Sequence, residues 1–147
     1  MIYSLDHHGI SLNTMYHNCE PLGTSPVLLV IKNTDGEIFG AYASEAFRVN
    51  HGYFGNGSCF LWKATESVDG GSQPDVRVFK ATGANDYLIL GEAHMIALGG
   101  GEGHFGLWVD QDLYNGHSGP CQTFNNERLS SKAEFVIQSL ELWAFEM

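Results

Sequence analysis

Residues 99–126 read GGGEGHFGLWVDQDLYNGHSGPCQTFNN. A glycine run broken by one acid, then apolar side chains at alternate positions (Phe105, Leu107, Val109), then a turn-rich polar segment, describes sharply bent backbone feeding a buried strand. Glycine there permits the positive φ and close chain approach of a bulge or corner. The chain on either side has the same character. Residues 27–31, Val-Leu-Leu-Val-Ile after Pro26, predict a strand buried on both faces, and Asn33-Thr34-Asp35-Gly36 supplies a hairpin turn into a strand over 38–43. Further strands are expected near 58–63, 76–80, 87–90, 94–98, 105–109 and 113–114, nearly all separated by turn residues. With eighteen glycines and little helical periodicity, this spacing predicts a mainly β fold, a β-sandwich of two antiparallel sheets with a few short helices.

Two helical signals stand out. Ser11 precedes Leu12, Met15 and Tyr16 on one helical face, so a short helix opens there. Ser131-Lys132-Ala133-Glu134 has capping-box form and predicts one helical turn before a last strand over 135–145. Residues 66–74, with Asp69-Gly70-Gly71-Ser72, read as a solvated loop. No internal repeat or linker divides the chain, and 147 residues at 44% hydrophobic suit one domain that buries roughly 70% of its unfolded surface.

Charge narrows the partners. Seven Lys and Arg against 17 acids give a formal net charge of −10, which repels nucleic acid and anionic membrane and favours a basic face on a protein partner, or simple solvation. Three widely spaced cysteines, Cys19, Cys59 and Cys121, suit a reducing cytosol or nucleus rather than a disulfide framework. No apolar run approaches the ~20 residues of a membrane helix, and the N-terminus lacks the pattern of a signal peptide.

The chemical motifs give way one by one. The glycines of 99–103 lack the Lys-Ser/Thr pair and helix of a phosphate loop. Asp110-Gln111-Asp112 begins like a calcium loop, but Tyr114, Asn115 and Cys121 stand where a ligand, a glycine and the closing glutamate belong. Seven scattered histidines, with His7-His8 the only adjacent pair, lack zinc spacing. His117 and Cys121 could form a thiol–base pair, yet Gly119-Pro120 between them forbids a regular helix. The carboxylates, among them Glu37, Glu45, Glu92 and Glu141, offer many pairs and select none. Trp62, Phe79, Phe105, Trp108, Trp143 and Phe145 lie in or beside apolar strands, where core packing is expected. No catalytic, cofactor-binding or metal-binding set emerges.

Ordered segments along nearly the whole chain resemble a known family. They include Tyr3-Ser4, His8-Gly9-Ile10-Ser11-Leu12-Asn13-Thr14-Met15-Tyr16, Phe39-Gly40-Ala41, Gly52-Tyr53-Phe54-Gly55-Asn56-Gly57, Gly106-Leu107-Trp108, Cys121-Gln122-Thr123-Phe124-Asn125-Asn126 and Glu141-Leu142-Trp143-Ala144-Phe145. Together they resemble the TLDc domain of oxidation-resistance proteins. The resemblance implies a β-sandwich with short helices, protection against oxidative stress, and binding and regulation of the vacuolar proton-pumping ATPase, with no accepted catalytic residues. It also implies a cytoplasmic or nuclear protein recruited to vacuolar or lysosomal membranes through its partner. Ser58 stands where relatives commonly carry glutamate, so no role of that acid transfers. The family's domain usually starts further upstream, with a helical segment and a tryptophan, so the single domain over 1–147 is expected to be shortened at its N-terminus. The expected contact surface is acidic, around Glu102, Asp110 and Asp112. Two other readings stand beside it: direct antioxidant chemistry at a peroxide-reactive Cys59 or Cys121, and an adaptor for a signalling or transcription partner.

Overall fold

The computed structural model describes residues 1–65, 75–101 and 103–145. The chain runs β1 (Tyr3–Ser4), α1 (Leu5–His8), α2 (Leu12–Cys19), a 3-10 turn (Glu20–Leu22), β2 (Val27–Asn33), β3 (Ile38–Ala43), β4 (Phe60–Thr65), β5 (Asp75–Lys80), β6 (Ile89–Gly91), β7 (Met95–Leu98), β8 (Leu107–Asp110), β9 (Asn115–His117) and β10 (Glu134–Ala144). The expected β architecture is present, and every ladder is antiparallel. The two halves are continuous. Pairing runs β5-β4-β3-β2-β10-β9-β8-β7-β6, with β1 also on β10. β10 serves both halves: Glu134, Phe135 and Val136 pair with β9, Ile137 onward pairs with β2, and the register shifts between Ile137 and Ser139. A bulge at that point bends the strand so that the halves can enclose a common core.

Local chemistry explains most elements. Ser11 caps α2 by accepting from the Thr14 N–H at 3.3 Å, and Leu12, Met15, Tyr16 and Cys19 form its buried face. The β2–β3 turn closes with the Gly36 N–H donating to Asn33 O at 3.0 Å, and the Asn33 side chain accepts from the N–H groups of Asp35 and Glu37. The inner face of the β2–β5 half carries Leu29, Ala41 and Leu61 in one cross-strand row, all buried.

Three expectations need correction. Ser131-Lys132-Ala133-Glu134 opens no helix; Glu134 already pairs with His117 in the sheet, and the Ser131 N–H and hydroxyl both donate to the Glu37 carboxylate. The capping-box pattern lost to a long-range anchor. The short strand expected at 113–114 lies at 115–117, because 110–114 form a turn in which Leu113 takes φ 51° and the Asp110 carboxylate accepts from Tyr114 N and Asn115 N. β2 is not buried on both faces: Val27, Leu29 and Ile31 are buried, while Leu28 and Val30 face outward and are only half-buried. The loop expected over 66–74 lies outside the described residues.

Glu37 ties the hairpin to the chain before β10. Partial burial pushes its carboxyl up, but hydrogen bonds from Asn33 and Ser131 and the charge of Lys63 outweigh this and hold it below the ordinary value. Because the folded-state value lies below the unfolded one, the carboxylate stabilises the fold fully above the ordinary glutamate range. That contribution disappears as the pH falls through the folded-state value. Glu37→Gln is expected to cost about 1 kcal/mol at neutral pH. In thermal melts across pH the deficit should shrink on acidification; a deficit independent of pH would contradict the assignment.

Candidate interaction surface

Residues 99–126 form a locked corner. Gly99, at φ 81°, packs so closely that a Cβ there would meet the Cys121 Sγ and the Phe124 ring, both within 3 Å. Three buried polar side chains secure the loop that follows. Thr123 Oγ1 accepts from Gly100 N at 2.9 Å and donates to Asn85 Oδ1 at 2.7 Å. Ser118 Oγ donates to Gly106 O and accepts from Leu129 N. Asn126 accepts from Cys121 N and Sγ and donates to the carbonyls of Gly119 and Glu127. Polar groups bonded in this way serve the fold and are not free to bind a ligand.

The expected chemical residues are spread through this frame. Cys19, Cys59 and Cys121 are free and buried. Burial pushes the Cys121 thiol up against several opposing hydrogen bonds, and pushes Cys19 up to about 11. A buried thiol held protonated is a poor nucleophile at neutral pH. Maleimide should therefore label the native thiols at least about 100-fold more slowly than those of the urea-unfolded chain; comparable rates would contradict this. His117 stacks on Trp108 at 4.9 Å, and burial lowers its basicity, with His104 adding and Glu134 opposing. Among the described residues no group of three or more His, Cys, Asp or Glu is placed to hold a metal ion, and no helix is long and apolar enough to cross a membrane. A hollow of about 550 Å³ beside Glu37, Lys63 and Ser131 has its polar lining engaged internally.

Of the acidic residues read as a contact surface, Asp110 spends its carboxylate in the β8–β9 turn, Asp112 is exposed, and Glu102 lies outside the described residues. A larger feature lies elsewhere. Cross-strand register places Trp143, Leu28, Tyr42 and Phe60 in one row on the outer face of the β10-β2-β3-β4-β5 half, and Val30, Gly40, Trp62 and Val78 in the next. Ala64 and Val76 pair beside them. Trp143 is 42% exposed, Phe145 45%, Val76 59% and Val78 46%, and the other large side chains of these rows are half-buried. Tyr42 stacks on Phe60 at 5.1 Å and meets Phe145 edge-on at 5.7 Å. An antiparallel sheet with one solvated face normally turns polar residues outward. This one turns out a contiguous aromatic and aliphatic surface, which marks a contact site.

This surface corrects the reading of the aromatic residues as core. Trp62, Phe79, Phe105 and Trp108 are half-buried and Trp143 and Phe145 exposed. The sequence signal was present in the unbroken apolar run of β2, which looked doubly buried because its outward residues are apolar too.

The TLDc domain profile matches residues 1–146. The chain belongs to the TLDc family. Its relatives include nuclear receptor coactivator 7 of Gallus gallus, 48% identical over 146 residues, and of Homo sapiens, 47% identical; the match covers 99% of this chain and 15% and 14% of those proteins. Oxidation resistance protein 1 of Rattus norvegicus is 46% identical over the same share of this chain and 16% of its own length. The TLDc chain thus spans about one sixth or less of these relatives.

Proposed function

We propose that this TLDc domain is a non-enzymatic protein-contact module in oxidative-stress resistance, and that it acts by binding and regulating the vacuolar proton-pumping ATPase. The observation that supports contact most strongly is the outward aromatic face of the β10-β2-β3-β4-β5 half. A solvated face with Trp143, Phe145, Val76 and Val78 exposed together gains from being covered, at roughly 25 cal/mol for each Å² of apolar surface removed from water. Kinship with oxidation resistance protein 1 supports the stress role. Asp112, with Glu102 and Asp110, is proposed to add an acidic contact to a basic partner surface. The module works in the cytoplasm or nucleus and reaches vacuolar or lysosomal membranes through its partner.

The test mixes purified domain with assembled vacuolar ATPase and follows co-sedimentation, separation of the peripheral and membrane sectors, and ATP hydrolysis. Binding with altered hydrolysis is expected, and no binding over a range of salt concentrations would contradict it. Catalysis by a peroxide-reactive Cys59 or Cys121 is the weaker reading, because both thiols are buried. Peroxide turnover that disappears in the Cys59→Ser, Cys121→Ser double variant would favour it.

A further inference from the structure

The two ends of the strand order differ. At one end β6 is closed by Phe54, whose N–H donates to Ile89 O at 2.9 Å while Ile89 N donates back at 3.0 Å. At the other end β5 has only β4 beside it, and among the described residues no strand pairs with its outer side. Six residues of open main chain form a template for strand addition. Strand addition reads side chains as well as backbone, because opposed residues of an antiparallel pair share a face.

On the outer face β5 presents Val76, Val78 and Lys80, which continue the apolar surface. On the inner side it presents Asp75, Arg77 and Phe79, where Arg77 and Lys63 share the single carboxylate of Glu127. Two cations on one anion leave a local positive charge on a chain of net −10. Exposed charges on an edge blunt indiscriminate pairing, yet they favour a strand of complementary charge.

We propose that β5 receives an extended segment of a partner protein, antiparallel to it, reading acidic, apolar, apolar, acidic, apolar, basic from N- to C-terminus. This order sets acids opposite Lys80 and Arg77, apolar residues opposite Phe79, Val78 and Val76, and a base opposite Asp75. A second copy of the chain fits less well. Two-fold antiparallel pairing keeps outer faces together only when its register centres on a residue. Centring on Arg77 opposes two guanidinium groups, and centring on Val78 sets Val76 against Lys80 and leaves Arg77 without an acid. Two molecules of charge −10 also repel each other.

The proposal rests on the reading of the domain as a contact module but needs no ATPase for its test. A blocked hexapeptide Glu-Val-Val-Glu-Val-Lys is titrated into the domain and followed by amide NMR, beside the charge-swapped Lys-Val-Val-Lys-Val-Glu and a copy of the first with alternate backbone amides methylated. The first peptide should bind at least ten-fold more tightly than either control, with shifts centred on Asp75–Lys80. In Arg77→Glu and, separately, Lys80→Glu, both exposed positions, the preference between the two charge patterns should fall or reverse. Equal binding of the three peptides, shifts elsewhere, or a concentration-dependent dimer with protected β5 amides would overturn the proposal. ATPase binding without peptide selectivity would count against β5 alone, and peptide selectivity without ATPase binding would count against the ATPase alone.

Discussion

Gly40→Ala is expected to destabilise the domain by about 3 kcal/mol or more, a large share of the stability of a fold this size. Gly40 lies in β3 opposite Val30 of β2 and Trp62 of β4. A Cβ there would fall on the Leu29 carbonyl oxygen, 2.8 Å from its carbon and 3.2 Å from Trp62 Cζ2. The obstruction is backbone, so no rotamer change relieves it. β2 and β3 must separate, and with them the ladders that hold the outer aromatic rows in register. Gly57→Ala is the control, because no atom lies within 4 Å of a Cβ there, and its effect should stay within about 0.5 kcal/mol. Urea unfolding followed by circular dichroism measures both; a Gly40→Ala loss below about 1 kcal/mol would show that the strands adjust freely.

Phe39→Ala should cost about 4 kcal/mol, in the range for removing a fully buried aromatic side chain. Its ring meets Phe135 edge-on at 4.9 Å. Phe39 belongs to the β2–β3 hairpin, and Phe135 to the part of β10 that pairs with β9. The contact therefore reaches across the bend in β10 from one half of the sheet to the other. A double-mutant cycle with Phe135→Ala should give a coupling of roughly 0.5–1.5 kcal/mol beyond the single losses. Strict additivity would mean that the two halves are held together elsewhere.

The local elements were readable where a short signal decided them. Ser11 before an amphipathic stretch placed α2, and Asn33-Thr34-Asp35-Gly36 placed the first hairpin, because cap and turn chemistry act over a few residues. Ser131-Lys132-Ala133-Glu134 misled for the opposite reason: its partner is Glu37, distant in sequence, and only the fold brings the two together. The turn at Leu113 was hidden because a leucine at positive φ gives no warning in sequence. The contact face was half-legible. Apolar residues at both parities of β2 announced two apolar faces, but periodicity cannot say whether both are covered within the chain.

Trp143 is the side chain on which the contact reading can be tested most directly. It is exposed on the aromatic face, at a position where substitution leaves the inner rows untouched. Affinity for the assembled vacuolar ATPase is measured for the unsubstituted chain and for Trp143→Ala, with thermal melts to show that both are folded. The expected result is binding by the unsubstituted domain and a loss of about 2 kcal/mol, roughly thirty-fold, in the variant at unchanged melting temperature. Equal affinity of the two proteins would contradict the assignment of the outer aromatic face as the surface through which this TLDc domain acts.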